Sequence, residues 1–464
     1  MRYLVALLLL SSCASETKET RFDIVLAGGR VIDPESGLDG IRHVGVRDGR
    51  IESISETPLR GTREIDVQGL VVAPGFIDLH VHGQHAESFG YMVRDGVTTG
   101  LELEVGTADV AKWYRQREGG QRAHYGVSIG HIPVRMAVME DPGDFLPSGP
   151  AGSDAATDEQ VAEMARRVRE GLDQGAVAVG FGMAYTPKAT LEELEAMMGV
   201  AGARGASSHI HVRNGVEGLV EAIETAERAR APLHIVHANS SGGGAIEEFL
   251  SLIERARDGG QDVTTEAYPY NAGATRIESA LFDDWESWDD ERFGIHQWVA
   301  TGERLTRASF AHYREQGGSV IIHSRTDEMT RTAVVHPLTM VASDGGIRNG
   351  KGHPRGAGTF AKVLGKYVRD EGALTLPDAV RKMTLAPAQR LEGYVPAFEN
   401  KGRIRIGADA DITVIDPDGV IDRSTYTEPA VASEGIPYVL VSGVLVVDGS
   451  ELVPDVRPGT AMRN

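Results

Sequence analysis

The chain has 464 residues, 41% hydrophobic and 25% charged, a globular balance that excludes collagen-like, low-complexity and disordered classes. Its 47 Lys and Arg against 67 Asp and Glu leave a net charge of −20, which repels polyanions and argues against nucleic acid as a partner. One cysteine excludes a disulfide framework and any multi-thiolate metal site, so a metal here would need histidine and carboxylate ligands.

The first fifteen residues read MRYLVALLLLSSCAS. A basic Arg2, the apolar run Tyr3 to Leu10 and the small residues after it form a secretory signal pattern, too short for the roughly 20 residues that span a bilayer. Cys13 follows Leu10-Ser11-Ser12 as the acylated cysteine of bacterial lipoproteins follows its signal; a chance buried cysteine is the alternative. The expectation is a signal over 1–13, a polar tether over 14–21, and an exported protein lipid-anchored to the cell envelope (periplasmic or outer-membrane face). Its membrane contact would be only through Cys13.

From Phe22 short β-type runs alternate with turn pairs, Gly28-Gly29 and Asp48-Gly49 among them. The C-terminus repeats this character in GADADITVID and YVLVSGVLVVDGSEL. Both ends together predict a small β-sandwich, 22–72 and 401–464. Between them, over 73–400, eight apolar runs alternate with helical periods: FIDLHVH, GLELEVG, HYGVSIGHI, AVAVGFGM, ASSHIHVR, LHIVHAN, TTEAYPY and TMVASDG. That alternation predicts an α/β fold, a TIM-type (β/α)8 barrel with its chemistry at the C-terminal strand ends. An insertion over about 271–336 carries three tryptophans and the acidic stretch DDWESWDDER. It reads equally as a substrate wall or as peripheral decoration.

His80 and His82 stand two apart on the first barrel strand, so both imidazoles face the interior as a metal ligand pair. Glu102 and Glu104 share a face of the second strand. Two interior carboxylates need a cation, and Glu104 is favoured as the one nearer the strand end. His209 and His211 share a face on strand five, and His237 ends strand six. Asp344, closing strand eight, can bind a metal and still exchange a proton with water.

These residues, together with APGFIDLHVH, RDGVTT and the terminal GADADITVIDP, resemble the amidohydrolase superfamily. GHIPVR, AYTP, HIHVRN, HIVHAN, EAYPYNAGAT, SDGG, GKGHPRGAGTF and VRKMTLAPAQRL resemble its D-aminoacylase branch (N-acyl-D-amino-acid deacylases) over nearly the whole chain. The resemblance implies a zinc site, with one or two ions, held by His80, His82, His211, His237 and Asp344. His211 is preferred to His209 because the family histidine precedes an arginine by two, as His211 precedes Arg213. Two departures stand out. Strand four has no lysine, and where the branch places a cysteine on strand two this chain has Glu104 one position away. A bridging Glu104 is a harder ligand than thiolate and widens the choice to manganese or other divalent ions. The family lysine two residues after the strand-six histidine is Asn239 here.

Arg355 is then expected to hold the substrate carboxylate, or else to form a structural ion pair. Tyr185 and Tyr268 match substrate-contacting tyrosines, with Tyr270 as a competitor for the second. His131 either hydrogen-bonds the scissile carbonyl or is structural. The implied activity is hydrolysis of an N-acyl-D-amino acid, a small-molecule partner, by metal-bound hydroxide, with Asp344 as general acid/base. Dipeptide or cyclic-amide hydrolysis (hydantoinase or dihydroorotase type) and a non-catalytic binding protein on a dead barrel are the alternatives. The sequence is silent on oligomeric state.

Overall fold

A computed structural model describes residues 21–464. Cys13 and the signal pattern lie outside the described residues. Five N-terminal strands come first: β1 (Phe22–Asp33), β2 (Leu38–Arg47), β3 (Arg50–Ser55), β4 (Gly61–Asp66) and β5 (Val71–Pro74). The barrel strands follow as β6 (Phe76–Asp78), β7 (Val97–Thr107), β8 (His124–Gly130), β9 (Val179–Gly182), β10 (Ser208–His211), β11 (Leu233–Ile235) and β12 (Val263–Ala267). Then come β13 (Gly273–Arg276), β14 (His296–Trp298) and β15 (Ser319–Ile322), the eighth barrel strand β16 (Thr339–Val341), and the hairpin β17 (Ile347–Arg348) and β18 (Lys351–Gly352). The chain ends in β19 (Ile412–Ile415), β20 (Tyr438–Val441), β21 (Val444–Asp448) and β22 (Glu451–Leu452).

Strands from both chain ends share one nine-stranded sheet, in which β19 lies antiparallel beside β5. Period-two alternation divides their side chains between two cores. Val72, Ile412 and Val414 join Leu26, Val44 and Leu440 inside the sandwich, while Val71, Ala73 and Ile415 pack against the barrel's core. Two predicted boundaries shift. The N-terminal sandwich segment runs to Pro74 rather than residue 72, because β5 keeps pairing with β19 to that point. Gly459–Met462 leave the sandwich and pair with Gln121 and Tyr125 of the barrel, where Met462 is buried.

The eight barrel strands are parallel and in chain order from β6 to β16. Beyond their ends the circle closes: the Asp344 N–H donates to the His80 carbonyl at 2.7 Å and the His82 N–H to the Gly345 carbonyl at 2.8 Å. The insertion is narrower than 271–336. Helix Asp327–Val335 belongs to the barrel's outer layer, since its Ala333 and Val334 are buried in the barrel core. The remainder forms a three-stranded sheet of β13, β15 and β14 around its own aromatic core of Phe282, Trp288, Phe293, Trp298 and Phe310.

Candidate metal centre

Strand β7 carries the feature that builds the site. Glu102 is in register with Val127 of β8 and Thr107 with Ile129, so five steps of β7 pass two of β8. The surplus residues bulge, and bulges beside active sites re-aim side chains. Glycine makes the room: a Cβ on Gly180 of β9 would lie 2.2 Å from the Glu104 carbonyl oxygen and 2.5 Å from that of Leu103. The Glu102 carboxylate accepts the Val105 N–H inside the bulge at 3.3 Å. Glu104 is thereby carried into the barrel mouth.

There its two oxygens face two donor groups. Glu104 Oε2 lies 3.0 Å from His80 Nε2 and 3.2 Å from His82 Nε2, and Asp344 Oδ1 lies 3.5 and 3.1 Å from the same nitrogens. Glu104 Oε1 lies 2.7 Å from His211 Nδ1 and 3.8 Å from His237 Nε2. Among the described residues these are two donor sets sharing one carboxylate, His80–His82–Glu104–Asp344 and Glu104–His211–His237, with the atoms of each within 4.8 Å of one another. Ligands about 2.1 Å from a tetrahedral divalent ion stand about 3.4 Å apart, so the first set has the spacing of a coordination shell. One member of each set sits in strained backbone. His237 (φ 36) and Asp344 (φ 52) take the left-handed region that non-glycine residues rarely adopt, each at a strand end where the chain turns its side chain inward.

Outer partners fix the imidazoles. His80 Nδ1 donates to Glu266 at 2.7 Å, His82 Nδ1 to Glu102 at 2.9 Å, and His237 Nδ1 meets Ser241 Oγ at 3.2 Å, which leaves each Nε2 to the centre. Glu266 also bonds His234 at 3.1 Å. Burial disfavours charge on His80, yet Asp344, Glu266 and Glu104 outweigh it and hold the imidazole well above its ordinary pKa. Burial would likewise raise Glu104, but His211, His237 and His80 hold it well below the carboxylate range. The carboxylates of this largely buried site demand positive charge, and a nitrogen–oxygen donor set of this kind suits a divalent cation.

The other expected residues divide. Tyr185, Tyr268 and Arg355 line a cavity of about 630 Å³ above the centre, together with His82, Glu104, His211, His237 and Asp344. Arg355 Nη2 reaches Asp344 Oδ1 at 2.9 Å and its guanidinium lies over the Tyr268 ring, while Nε and Nη1 are buried without a hydrogen-bond partner. Arg355 is therefore ion-paired and keeps two donors unspent beside the cavity. Tyr270 is not in the cavity; its hydroxyl bonds Asp422. His131 is not there either. It starts helix His131–Val138 and bonds Glu193 at 2.7 Å, because that buried carboxylate, also held by Arg135, needs donors; of its two expected roles the structure gives the structural one and not the contact with a scissile carbonyl. His209 is buried lower in the barrel against His234. Asn239 spends its side chain on the Tyr268 backbone, donating to its carbonyl at 3.1 Å.

Sequence reasoning missed Glu266, whose inward place in TTEAYPY was its one signal, and Arg325. The latter comes from the insertion, donates to the Tyr268 hydroxyl at 2.8 Å and to Ser240 Oγ at 3.2 Å, and lines the cavity. The insertion is thus a wall of the site. A larger cleft of about 990 Å³ opens at the opposite end of the barrel, among Arg257, Lys382 and Arg390, and contains none of the candidate ligands.

Imidazoles and carboxylates converging at the C-terminal mouth of a closed parallel barrel, beneath a substrate-sized cavity, define a metal-dependent hydrolase of TIM-barrel architecture. The pattern of the amidohydrolase family matches residues 63–359 and 328–447, and the chain belongs to that family, in its D-aminoacylase branch. It is 31% identical to an N-acyl-D-glutamate deacylase of Alcaligenes xylosoxydans xylosoxydans, covering 96% of this chain and 97% of that one. To a D-aminoacylase of the same organism it is 30% identical, covering 93% and 96%. The crystal structure of N-acyl-D-glutamate deacylase from Bordetella bronchiseptica, with zinc and a phosphonate mimic of the tetrahedral intermediate, superposes with a TM-score of 0.83 at 27% identity, covering 96% of this chain and all of that one.

Proposed function

We propose that this protein hydrolyses the amide bond of N-acyl-D-amino acids, releasing a carboxylate and a free D-amino acid. The observation that carries the reading is the Glu104 carboxylate set between two imidazole groups, with the Asp344–Arg355 pair beside it. The D preference is supported by the names of the relatives.

His80, His82, Glu104 and Asp344 would hold one divalent ion and Glu104, His211 and His237 a second, zinc by likeness to the Bordetella enzyme. When bound, such an ion acidifies water and polarises an acyl carbonyl. The remaining work falls to side chains. Burial opposes charge on Asp344, but Arg355 and the neighbouring imidazoles override it and hold the carboxyl well below its usual range, so it stands ionised, with an oxygen that can carry a proton. It takes that proton from the attacking water and delivers it to the leaving nitrogen, since an amine leaves poorly as an anion. The unpartnered Nε and Nη1 of Arg355 suit the substrate carboxylate, and Arg325 and the Tyr268 hydroxyl extend the same anion-binding side. Anchoring the carboxylate there fixes the scissile bond against Asp344.

Paired N-acetyl-D- and N-acetyl-L-amino acids, assayed with protein loaded with zinc or manganese, test the proposal. Turnover of the D series at least tenfold above the L series is expected. Hydrolysis confined to cyclic amides, or no hydrolysis by fully loaded protein, would refute it.

A further inference from the structure

The cavity above the centre is lined by both cationic and apolar side chains. Arg355 and Arg325 meet at the Tyr268 ring, and Arg348 and Lys351, directly opposite each other in the β17–β18 hairpin, line the cavity too. Val105, Phe145, Leu146 and Leu281 give the cavity an apolar stretch, in which Val105 and Leu146 pack in one cluster with Tyr185. Two separate segments join to make it. A Cβ on Gly152 would lie 3.6 Å from both Ala280 and Pro147, so the loop carrying Phe145 and Leu146 abuts the insertion where Leu281 projects. The Phe145 ring stands edge-on to the His82 imidazole at 5.6 Å. Phe145 and Leu281 nevertheless remain 38% and 39% exposed, in a chain that buries most of its large apolar side chains. Exposed apolar surface beside a built cavity marks a binding surface.

We infer that this wall is the subsite for the acyl arm, and that the enzyme acts on N-acyl amino acids whose acyl group is a flexible apolar chain longer than acetyl. The inference rests on the deacylase reading above and names its substrate class. Direction follows from the chemistry. The leaving nitrogen must lie at Asp344 and the amino-acid carboxylate at Arg355, so the acyl chain departs from the scissile carbonyl on the far side, past His82 and Glu104, onto Val105, Phe145 and Leu146 and then Leu281. The reaction is unchanged and balanced: the C–N bond breaks, water gives its hydroxyl to the acyl carbon and its proton to nitrogen, and a longer carboxylic acid is released.

The test is a series of one amino acid carrying acetyl, butanoyl, hexanoyl and octanoyl groups, assayed with metal-loaded protein. A second arm measures calorimetric binding of non-cleavable ketomethylene isosteres bearing the short and long chains. Each methylene buried on the wall is worth up to about 0.8 kcal/mol, or roughly fourfold, so kcat/KM and isostere affinity are both expected to climb with length by about two- to fourfold per carbon before levelling off. Phe145→Ser and, independently, Leu281→Ser are expected to flatten that climb, costing the octanoyl substrate at least fivefold more than the acetyl one. Both side chains are partly exposed, so neither replacement removes a core residue. A flat or falling profile with acetyl substrates still cleaved overturns this inference alone. A gain that follows the size of the amino-acid side chain at constant acetyl overturns it too, by assigning the wall to that side chain. Failure to cleave any member of the series removes the deacylase reading and this inference with it.

Discussion

Glu104 and Glu102 differ by two positions on one strand, yet their surroundings give them different tasks. Glu104 presents one oxygen to each donor set, whereas Glu102 holds His82 Nδ1 and a backbone N–H of the bulge. Glu104→Gln removes the negative charge between two imidazole groups and is expected to cut metal content by more than half. Glu102→Gln keeps an acceptor for His82 and is expected to leave stoichiometry near normal. Metal analysis of the purified variants decides, and the reverse ranking would move the bridge to Glu102. Asp344→Asn keeps an oxygen toward the centre but cannot carry a proton. It is expected to lower kcat at least a thousandfold while retaining metal. Parallel loss of metal and activity would instead make Asp344 chiefly a structural ligand.

The strand supplies what the residues alone do not. Period-two alternation is enough to point His80 and His82 inward and to put Glu102 and Glu104 on one face, and for that reason the ligand candidates were legible in the sequence. The bulge that separates the two glutamates was not, since its room comes from a glycine on a neighbouring strand far along the chain. Arg325 and Phe145 were hidden for a related reason: each reaches the cavity from a loop or insertion whose path no local pattern dictates. His131 misled because a histidine at a strand end looks the same whether it meets substrate or a buried carboxylate. Gly180→Ala tests the bulge directly. Its added carbon would meet the Glu104 carbonyl at 2.2 Å, with backbone on both sides of the clash. Such overpacking costs typically about 1–3 kcal/mol. The expected result is a lowered Tm together with weakened metal binding by titration; wild-type metal affinity would show that Glu104 is not placed by this packing.

At the scale of the whole molecule the sandwich and barrel are joined by a buried polar knot as well as by apolar packing. Asp411, just before β19, accepts from Lys401 at 2.6 Å, from His124 of β8 at 3.1 Å and from the Ser442 N–H at 2.7 Å. The motif GADADITVID was legible as sandwich sequence, but nothing local showed that its second aspartate reaches a barrel strand. Burial would raise the Asp411 carboxyl, yet His124 and Lys401 override it and hold it well below the usual range. Burial also disfavours the Lys401 ammonium, and Asp411 and Asp409 more than compensate, raising it. The signs fix a pH window. A carboxyl with depressed folded pKa stabilises the fold above its unfolded value of about 3.9 and loses that contribution as pH falls below it; a raised lysine loses its contribution only above about 10.4. Asp411→Asn leaves the buried Lys401 ammonium with Asp409 as its one carboxylate, 2.9 Å away, and is expected to cost about 1–3 kcal/mol at neutral pH. The Tm gap between wild type and variant should therefore be widest between about pH 5 and 9 and should narrow below about pH 4, where the unfolded wild-type chain binds a proton at Asp411 that the folded one does not. A gap that stays constant down to pH 3 would mean that shape rather than charge at residue 411 ties the two parts together.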